Sequence, residues 1–403
     1  MSGVSSMIRV LIADDSAFMR KVLSDLFQKQ PDFEVAGTAV DGRDTISKVK
    51  SLHPDLVTLD VNMPVMDGIN ALAVIMSQCP TPVVMISSLT QQGTEATVRA
   101  LSLGAVDFIS KVGGSISKID TIEKEILEKC RSAARANVHN IGDGARTRRA
   151  AGQEQPVMRR IGLPQRSGLK SAVPQSAEPE PTATGIPQRQ NPLLKRRTRA
   201  PIPKPITMEH TGTGSQKLVA IGTSTGGPQA LQKVITRLPG NLPCGVVIVQ
   251  HMPAGFTKSL AERLDSISAI SVKEAENDDI IQPGHVYIAP GDYHMRVTAS
   301  GFTRKIRLSQ EPPVGNHRPA VNVMYDSVAQ FGSNLVAVIM TGMGCDGCEG
   351  MKKIKANGGY SIAQNEETSV VYGMPKAVVE AGLADEVRPL DDLARAIVEA
   401  VKK

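Results

Sequence analysis

Lys217-Leu218-Val219-Ala220-Ile221-Gly222-Thr223-Ser224-Thr225-Gly226-Gly227 begins as an apolar run and ends in a glycine-rich turn, and a helical pattern follows it. A short unbroken apolar run reads as a strand buried on both faces. The turn fits G-x-S-x-G, a sharp strand-to-helix reversal that exposes a serine hydroxyl. Glycine suits it because the turn leaves little room for side chains. The helix N-terminus just beyond offers free backbone N–H groups to an oxyanion. A turn of this kind also binds phosphate. This one, however, lacks both the G-x-G-x-x-G pattern and a Walker lysine.

Working outward, Gly245–Gln250 and Leu335–Met340 are further strands with helices after them. Between them, Ile280 to Leu308 reads as short antiparallel strands punctuated by Pro-Gly and Ser-Gly turns. The expected fold of residues 216–403 is therefore an α/β domain with a mainly parallel sheet and a short antiparallel section. Chemistry in such sheets sits at the carboxyl ends of the strands. Ser224 needs a base to take its proton. His251 ends the second strand, in Gln250-His251-Met252-Pro253. Asp346 follows the third, within Thr341-Gly342-Met343-Gly344-Cys345-Asp346-Gly347. Singly, His251 reads as a structural histidine and Asp346 as a turn residue. Together, at three strand ends, they read as a Ser-His-Asp triad. The order Ser, His, Asp differs from the Ser, Asp, His of common α/β-hydrolases. Order alone leaves His285, His294 and His317 open, but none of them ends an apolar strand. Cys345-x-x-Cys348 straddles Asp346; such spacing also serves metal or redox chemistry, for which one pair without a second is weak support.

Residues 7–130 repeat the alternation. Strands are expected at Ile8–Ala13, Glu34–Thr38, Leu56–Leu59, Pro82–Ser87 and Val106–Ile109, with helical patterns between them and a last one near Ile119–Cys130. Five such units predict a (βα)5 doubly wound parallel sheet covered on both faces. Asp14 and Asp15 follow the first strand, Asp60 ends the third, Ser87 the fourth, and Lys111 lies just past the fifth. Three converging carboxylates repel one another unless a cation sits among them. All-oxygen ligation suits Mg²⁺. Asp60 is then a nucleophile that forms an aspartyl phosphate, with Ser87 and Lys111 holding phosphoryl oxygens. The competing reading has Asp14 and Asp15 as helix caps.

The chain has 403 residues, 41% hydrophobic and 21% charged, which are globular values for two domains. Its net charge of +6 is unevenly spread. Of the 46 Lys/Arg and 40 Asp/Glu, Ile141–Pro205 holds 13 and 4, leaving 33 against 36 elsewhere. The same tract holds 10 of the 26 prolines. Residues 131–215 are therefore expected to be a flexible Pro/Arg-rich linker. The folded parts are mildly acidic and the second block has no basic recognition helix, which argues against nucleic-acid binding. No apolar run reaches the roughly 18 residues of a membrane span. Five scattered cysteines point to reduced thiols and a cytoplasmic location.

At these residues the first block resembles the receiver domains of two-component response regulators. The resemblance implies Asp60 as phosphoacceptor, Asp14 and Asp15 with it as Mg²⁺ ligands, and Ser87 and Lys111 as the switch pair. Val112 stands where receivers usually have proline, and Asn62 where close relatives often have glutamate. The second block resembles the catalytic domain of the chemotaxis protein-glutamate methylesterases (CheB family). It does so through the Gly-Thr-Ser-Thr-Gly-Gly turn, Gln250-His251-Met252, Tyr287-Ile288-Ala289-Pro290-Gly291, His317-Arg318-Pro319 and Thr341-Gly342-Met343-Gly344. That resemblance implies Ser224 as nucleophile, His251 as base and then acid, and Asp346 as orienter, with Thr225 and Met343 beside the oxyanion. It implies methylated chemoreceptor helices as substrate, deamidation of particular receptor glutamines, a histidine kinase as phosphodonor, and no cofactor for hydrolysis. Before phosphorylation the receiver is expected to cover the hydrolase cleft. The rival expectations are a receiver-driven transcription regulator and a non-catalytic receptor-binding scaffold.

Overall fold

The computed structural model of the chain describes residues 7–88, 90–111, 119–136, 138, 205–206, 217–301 and 303–403. Five parallel strands form the N-terminal sheet: β1 (Ile8–Ala13), β2 (Phe33–Ala39), β3 (Leu56–Asp60), β4 (Val83–Ser88) and β5 (Asp107–Lys111), in the order β2-β1-β3-β4-β5. Val10, Leu11, Ile12 and Ala13 are all fully buried, as a strand covered by helices on both faces requires. The winding reverses between β1 and β3, where Ala13 lies opposite Leu59. Asp14 and Asp60 therefore stand side by side at the switch point, where ligands bind in such sheets.

Neither Asp14 nor Asp15 caps the first helix. That cap is Ser16, whose hydroxyl accepts from Met19 N, while Asp14 Oδ1 accepts from Ser16 N at 2.9 Å. The last helix of this body runs from Ile119 to Ala134, past the expected boundary at residue 130. Its Arg131 pairs with Asp32 (Nε–Oδ2 2.6 Å), holding that carboxyl below the ordinary carboxylate range. At the far end of the expected linker, Ile206 N donates to Arg237 O at 3.0 Å and the Ile206 side chain packs on the core. Apart from residues 131–136, 138 and 205–206, the tract expected as linker lies outside the described residues, as does Val112.

The C-terminal sheet has seven parallel strands: β6 (Leu218–Thr223), β7 (Gly245–Gln250), β8 (Ser271–Glu274), β9 (His285–Ile288), β12 (Leu335–Ile339), β13 (Tyr360–Gln364) and β14 (Glu386–Arg388). Their order is β14-β13-β12-β6-β7-β9-β8. An antiparallel hairpin, β10 (His294–Ser300) with β11 (Thr303–Ser309), stands apart. The expectation for Ile280–Leu308 thus holds for the hairpin and needs correcting for β9. That strand is parallel and pairs with both β7 and β8. Val286, Tyr287 and Ile288 are all buried, the unbroken apolar run of an interior parallel strand rather than an alternating one.

The N-terminal body packs on this domain. Its helix Gln91–Leu103 lies against the helices Gly227–Ile235 and Phe256–Asp265. The rings of Phe108 and Phe256 sit 4.4 Å apart, centroid to centroid.

Candidate active site and phosphorylation site

In the C-terminal sheet the winding reverses at β6, flanked by β12 and β7. Ser224 is the first residue beyond β6, Thr341 lies just past β12, and His251 is the first beyond β7. Backbone bonds tie the three ends together: Ser224 N donates to Thr341 O at 3.0 Å, and His251 N to Thr223 O at 3.1 Å. Thr223 pairs with Gln250 in the β6–β7 register, so Ser224 stands beside His251. Side chains lock the turn further. Thr341 Oγ1 donates to Thr225 O at 2.9 Å, and Gln250 Nε2 to Ser224 O at 3.0 Å. Gly226 has φ +77°, and a Cβ there would stand 2.5 Å from Val370 Cβ; the turn requires glycine on both counts.

His251 Nε2 lies 2.7 Å from Asp346 Oδ2, and both side chains are under one-tenth exposed. Asp346 also accepts from Val321 N at 2.6 Å and Asn322 N at 2.9 Å. Burial presses its carboxyl upward, but the bonds from His251 and these two amides outweigh it and hold the group below the ordinary carboxylate value. The other imidazole nitrogen, Nδ1, is buried and has no hydrogen-bond partner among the described residues. No hydrogen bond joins Ser224 to His251 among the described residues. The position is that of a base held by a carboxylate at one nitrogen, with the other free to take a proton.

Two backbone donors flank the serine. Among the described residues, the amides of Thr225 and Met343 donate to no acceptor. Thr225 is buried and Met343 exposed. The Thr225 hydroxyl turns away from the site and donates to Asp107 Oδ2 at 2.6 Å, in the N-terminal body. Cys345 and Cys348 are free thiols, linked by a backbone bond from Cys348 N to Cys345 O at 3.1 Å.

In the N-terminal body, Asp14, Asp15 and Asp60 bring carboxylate oxygens within 4.8 Å of one another, with Asp14 and Asp60 buried and Asp15 exposed. Three hard oxygen donors at that spacing fit a small divalent cation. Ser87 is buried at the end of β4 and its hydroxyl donates to Gly93 O at 3.1 Å. The backbone of Lys111 ends β5 beside Ser88; its side chain lies outside what is described.

Chain order left His317 open, and the strand-end criterion set it aside. Its ring stacks on His251, with centroids 3.8 Å apart and planes 12° from parallel. It sits in a loop, so no strand-end pattern marks it, and its one sequence signal was the His317-Arg318-Pro319 motif of the resemblance.

Among the described residues, no helix is long and apolar enough to cross a membrane. The family model of the CheB methylesterase matches residues 219–397, and that of the response regulator receiver domain matches residues 10–122. Curated relatives match nearly the whole chain. A protein-glutamate methylesterase/protein-glutamine glutaminase of Symbiobacterium thermophilum is 47% identical over 98% of this chain and 97% of its own length. Proteins of the same name from Pyrococcus abyssi and Geobacillus kaustophilus are 44% and 43% identical, each over 98% of this chain, and over 94% and 99% of their own lengths.

Proposed function

This chain belongs to the CheB methylesterase family, and from that premise we propose how its own residues carry out the reaction. The protein is a protein-glutamate methylesterase with protein-glutamine glutaminase activity, governed by an N-terminal receiver. The domains are residues 7–130, the receiver, and 216–403, the hydrolase, joined by 131–215.

Ser224 is the nucleophile. As its Oγ attacks the ester carbonyl, its proton passes to Nδ1 of His251, and Asp346 holds the imidazole through Nε2. The carbonyl oxygen becomes an oxyanion and takes hydrogen bonds from the Thr225 and Met343 amides. His251 returns the proton to the leaving oxygen, and methanol departs. Water, deprotonated by the same nitrogen, releases the glutamate. A glutamine substrate follows the same course with ammonia as the leaving group. The observation that carries this reading is the His251–Asp346 pair at 2.7 Å, with a buried, unbonded Nδ1 beside the Ser224 turn.

Asp60 is the phosphoacceptor. Asp14, Asp15 and Asp60 would hold Mg²⁺, which neutralises phosphoryl charge when bound. Phosphorylation draws on Ser87, whose hydroxyl otherwise holds Gly93 in the helix Gln91–Leu103. That helix and the residue just before β5 hold the nucleophile turn and the helix after it: Leu101 O accepts from Gln229 Nε2 at 2.6 Å, and Val106 O accepts from Gly226 N at 3.2 Å. Releasing the grip frees the cleft for a bulky substrate. The substrate is a methylated chemoreceptor helix, the phosphodonor a chemotaxis-type histidine kinase, and the compartment the cytoplasm.

Methanol release from methylated receptor tests this reading. Ser224→Ala should abolish it. Asp60→Asn should keep the unstimulated rate and lose stimulation by a phosphodonor. Full activity in the serine variant defeats the triad, and full stimulation in the asparagine variant defeats the switch.

A further inference from the structure

The loop that carries His317 is built to hold one ring in one place. Val314 and His317 exchange two 3.1 Å backbone hydrogen bonds. Gly315 and Asn316 between them have φ of +59° and +67°, as a tight primed reversal needs. The next residue is clamped. Arg318 Nε donates to Asp292 Oδ1 at 3.0 Å, and its Nη1 donates to Gln310 O and Glu311 O, both at 3.0 Å. Asp292 N in turn donates to Arg318 O at 3.1 Å.

The base it stacks on is less constrained. Among the described residues the His251 ring makes one hydrogen bond, from Nε2 to Asp346. With Cβ tethered to the backbone and Nε2 held by Asp346, the ring can still turn about the line joining them. The direction of Nδ1, and so its line to Ser224 Oγ, depends on the ring plane. A parallel face 3.8 Å away fixes that plane. The covering ring is also neutral: burial first, and the neighbouring His251 second, pull His317 down to about 4. When His251 takes up the serine proton, it meets an uncharged aromatic face and not a second cation.

We propose that His317 is a positioning residue of the hydrolase, whose stacked ring aims Nδ1 of His251 at Ser224. The proposal rests on the reading of Ser224 and His251 as nucleophile and base.

The test uses the full chain with His317→Ala, His317→Gln and His317→Phe. Two quantities are measured: the rate at which a fluorophosphonate labels Ser224, located by peptide mass, and kcat and KM for methanol release. In the alanine and glutamine variants, labelling and kcat should both fall roughly 10-fold or more, the scale of a misplaced reacting group, while KM stays within about twofold. Phenylalanine keeps the face without the nitrogens and should restore both to within about threefold. Labelling at the wild-type rate in the glutamine variant overturns the proposal. So does a phenylalanine variant as slow as alanine, because the ring nitrogens would then matter and not the face. A melting curve for each variant excludes unfolding, and the Phe–Gln comparison stands if alanine fails to fold. If Ser224→Ala remains active, the reading of Ser224 itself fails, an outcome separate from the His317 series.

Discussion

The hydroxyl of Thr225, next to the nucleophile, donates a 2.6 Å hydrogen bond to Oδ2 of Asp107, at the start of the last receiver strand. Both residues are buried, and they are 118 positions apart in the chain. The receiver therefore touches the turn that carries Ser224. A hydrogen bond to a charged group is worth about 1.5–3 kcal/mol. Asp107→Ala should raise methanol release in the absence of phosphodonor by roughly tenfold or more, at about 1.4 kcal/mol per factor of ten. The stimulation ratio should shrink to match. Lys129 keeps Glu125 at 2.8 Å in this variant, so its charge stays compensated. An unchanged basal rate would remove this bond from the restraint.

Replacing Asp346 by asparagine keeps the shape and removes the charge. The side chain now receives three donors, from His251, Val321 and Asn322, all suited to a carboxylate. An amide cannot accept all three and hold the imidazole in the same tautomer. The expected loss in kcat is roughly 10³–10⁴-fold, with KM little altered. Steady-state methanol release measures it.

Acid should act on the same group. The folded protein holds the Asp346 carboxyl below its ordinary value, so the unfolded chain binds its proton more readily. Its contribution to stability is complete above the unfolded value of about 3.9 and is lost as pH falls through the folded one. Wild-type protein should lose more stability than Asp346→Asn between about pH 5 and about pH 3. Urea unfolding of both proteins across that interval checks the sign.

Gly342 is the position where bulk would strike the nucleophile. A Cβ there would lie 2.3 Å from Met374 Sδ and 2.8 Å from Ser224 Cβ. Gly342→Ala should cost about 1–3 kcal/mol of stability through overpacking. It should also slow phosphonate labelling of Ser224 more than the loss of folded protein accounts for. Denaturant melts and labelling rates on the same sample separate the two effects.

Divalent cation belongs to the receiver in this reading and not to the hydrolase. Chelation should abolish stimulation by a phosphodonor and leave unstimulated methanol release unchanged. Asp15→Asn, altering the exposed member of the carboxylate group, should raise the Mg²⁺ concentration needed for stimulation.

Much of this was legible from residues alone. Ile8–Ala13 and Gly245–Gln250 have the bounds expected of them, because the short apolar runs Val10–Ala13 and Val246–Val249, each followed by polar residues, suit a strand buried on both faces. Asp14, Asp60, Ser224, His251 and Asp346 could be proposed as site residues because parallel sheets gather their chemistry at strand ends. His285–Ile288 was misread as antiparallel: a four-residue strand does not show which neighbours it joins.

What only the folded chain decided concerns partners far apart in sequence. Local periodicity marks a strand, a turn or a cap; it carries no record of which side-chain atom meets which across 95 or 118 residues. So the residue types and the strand ends follow from the sequence by itself. The choice of Nε2 for Asp346, the Val321 and Asn322 amides on that carboxylate, the His317 ring against the base and the Thr225–Asp107 bond came from tertiary packing. Each is a contact between segments whose relative position depends on the whole hydrophobic core.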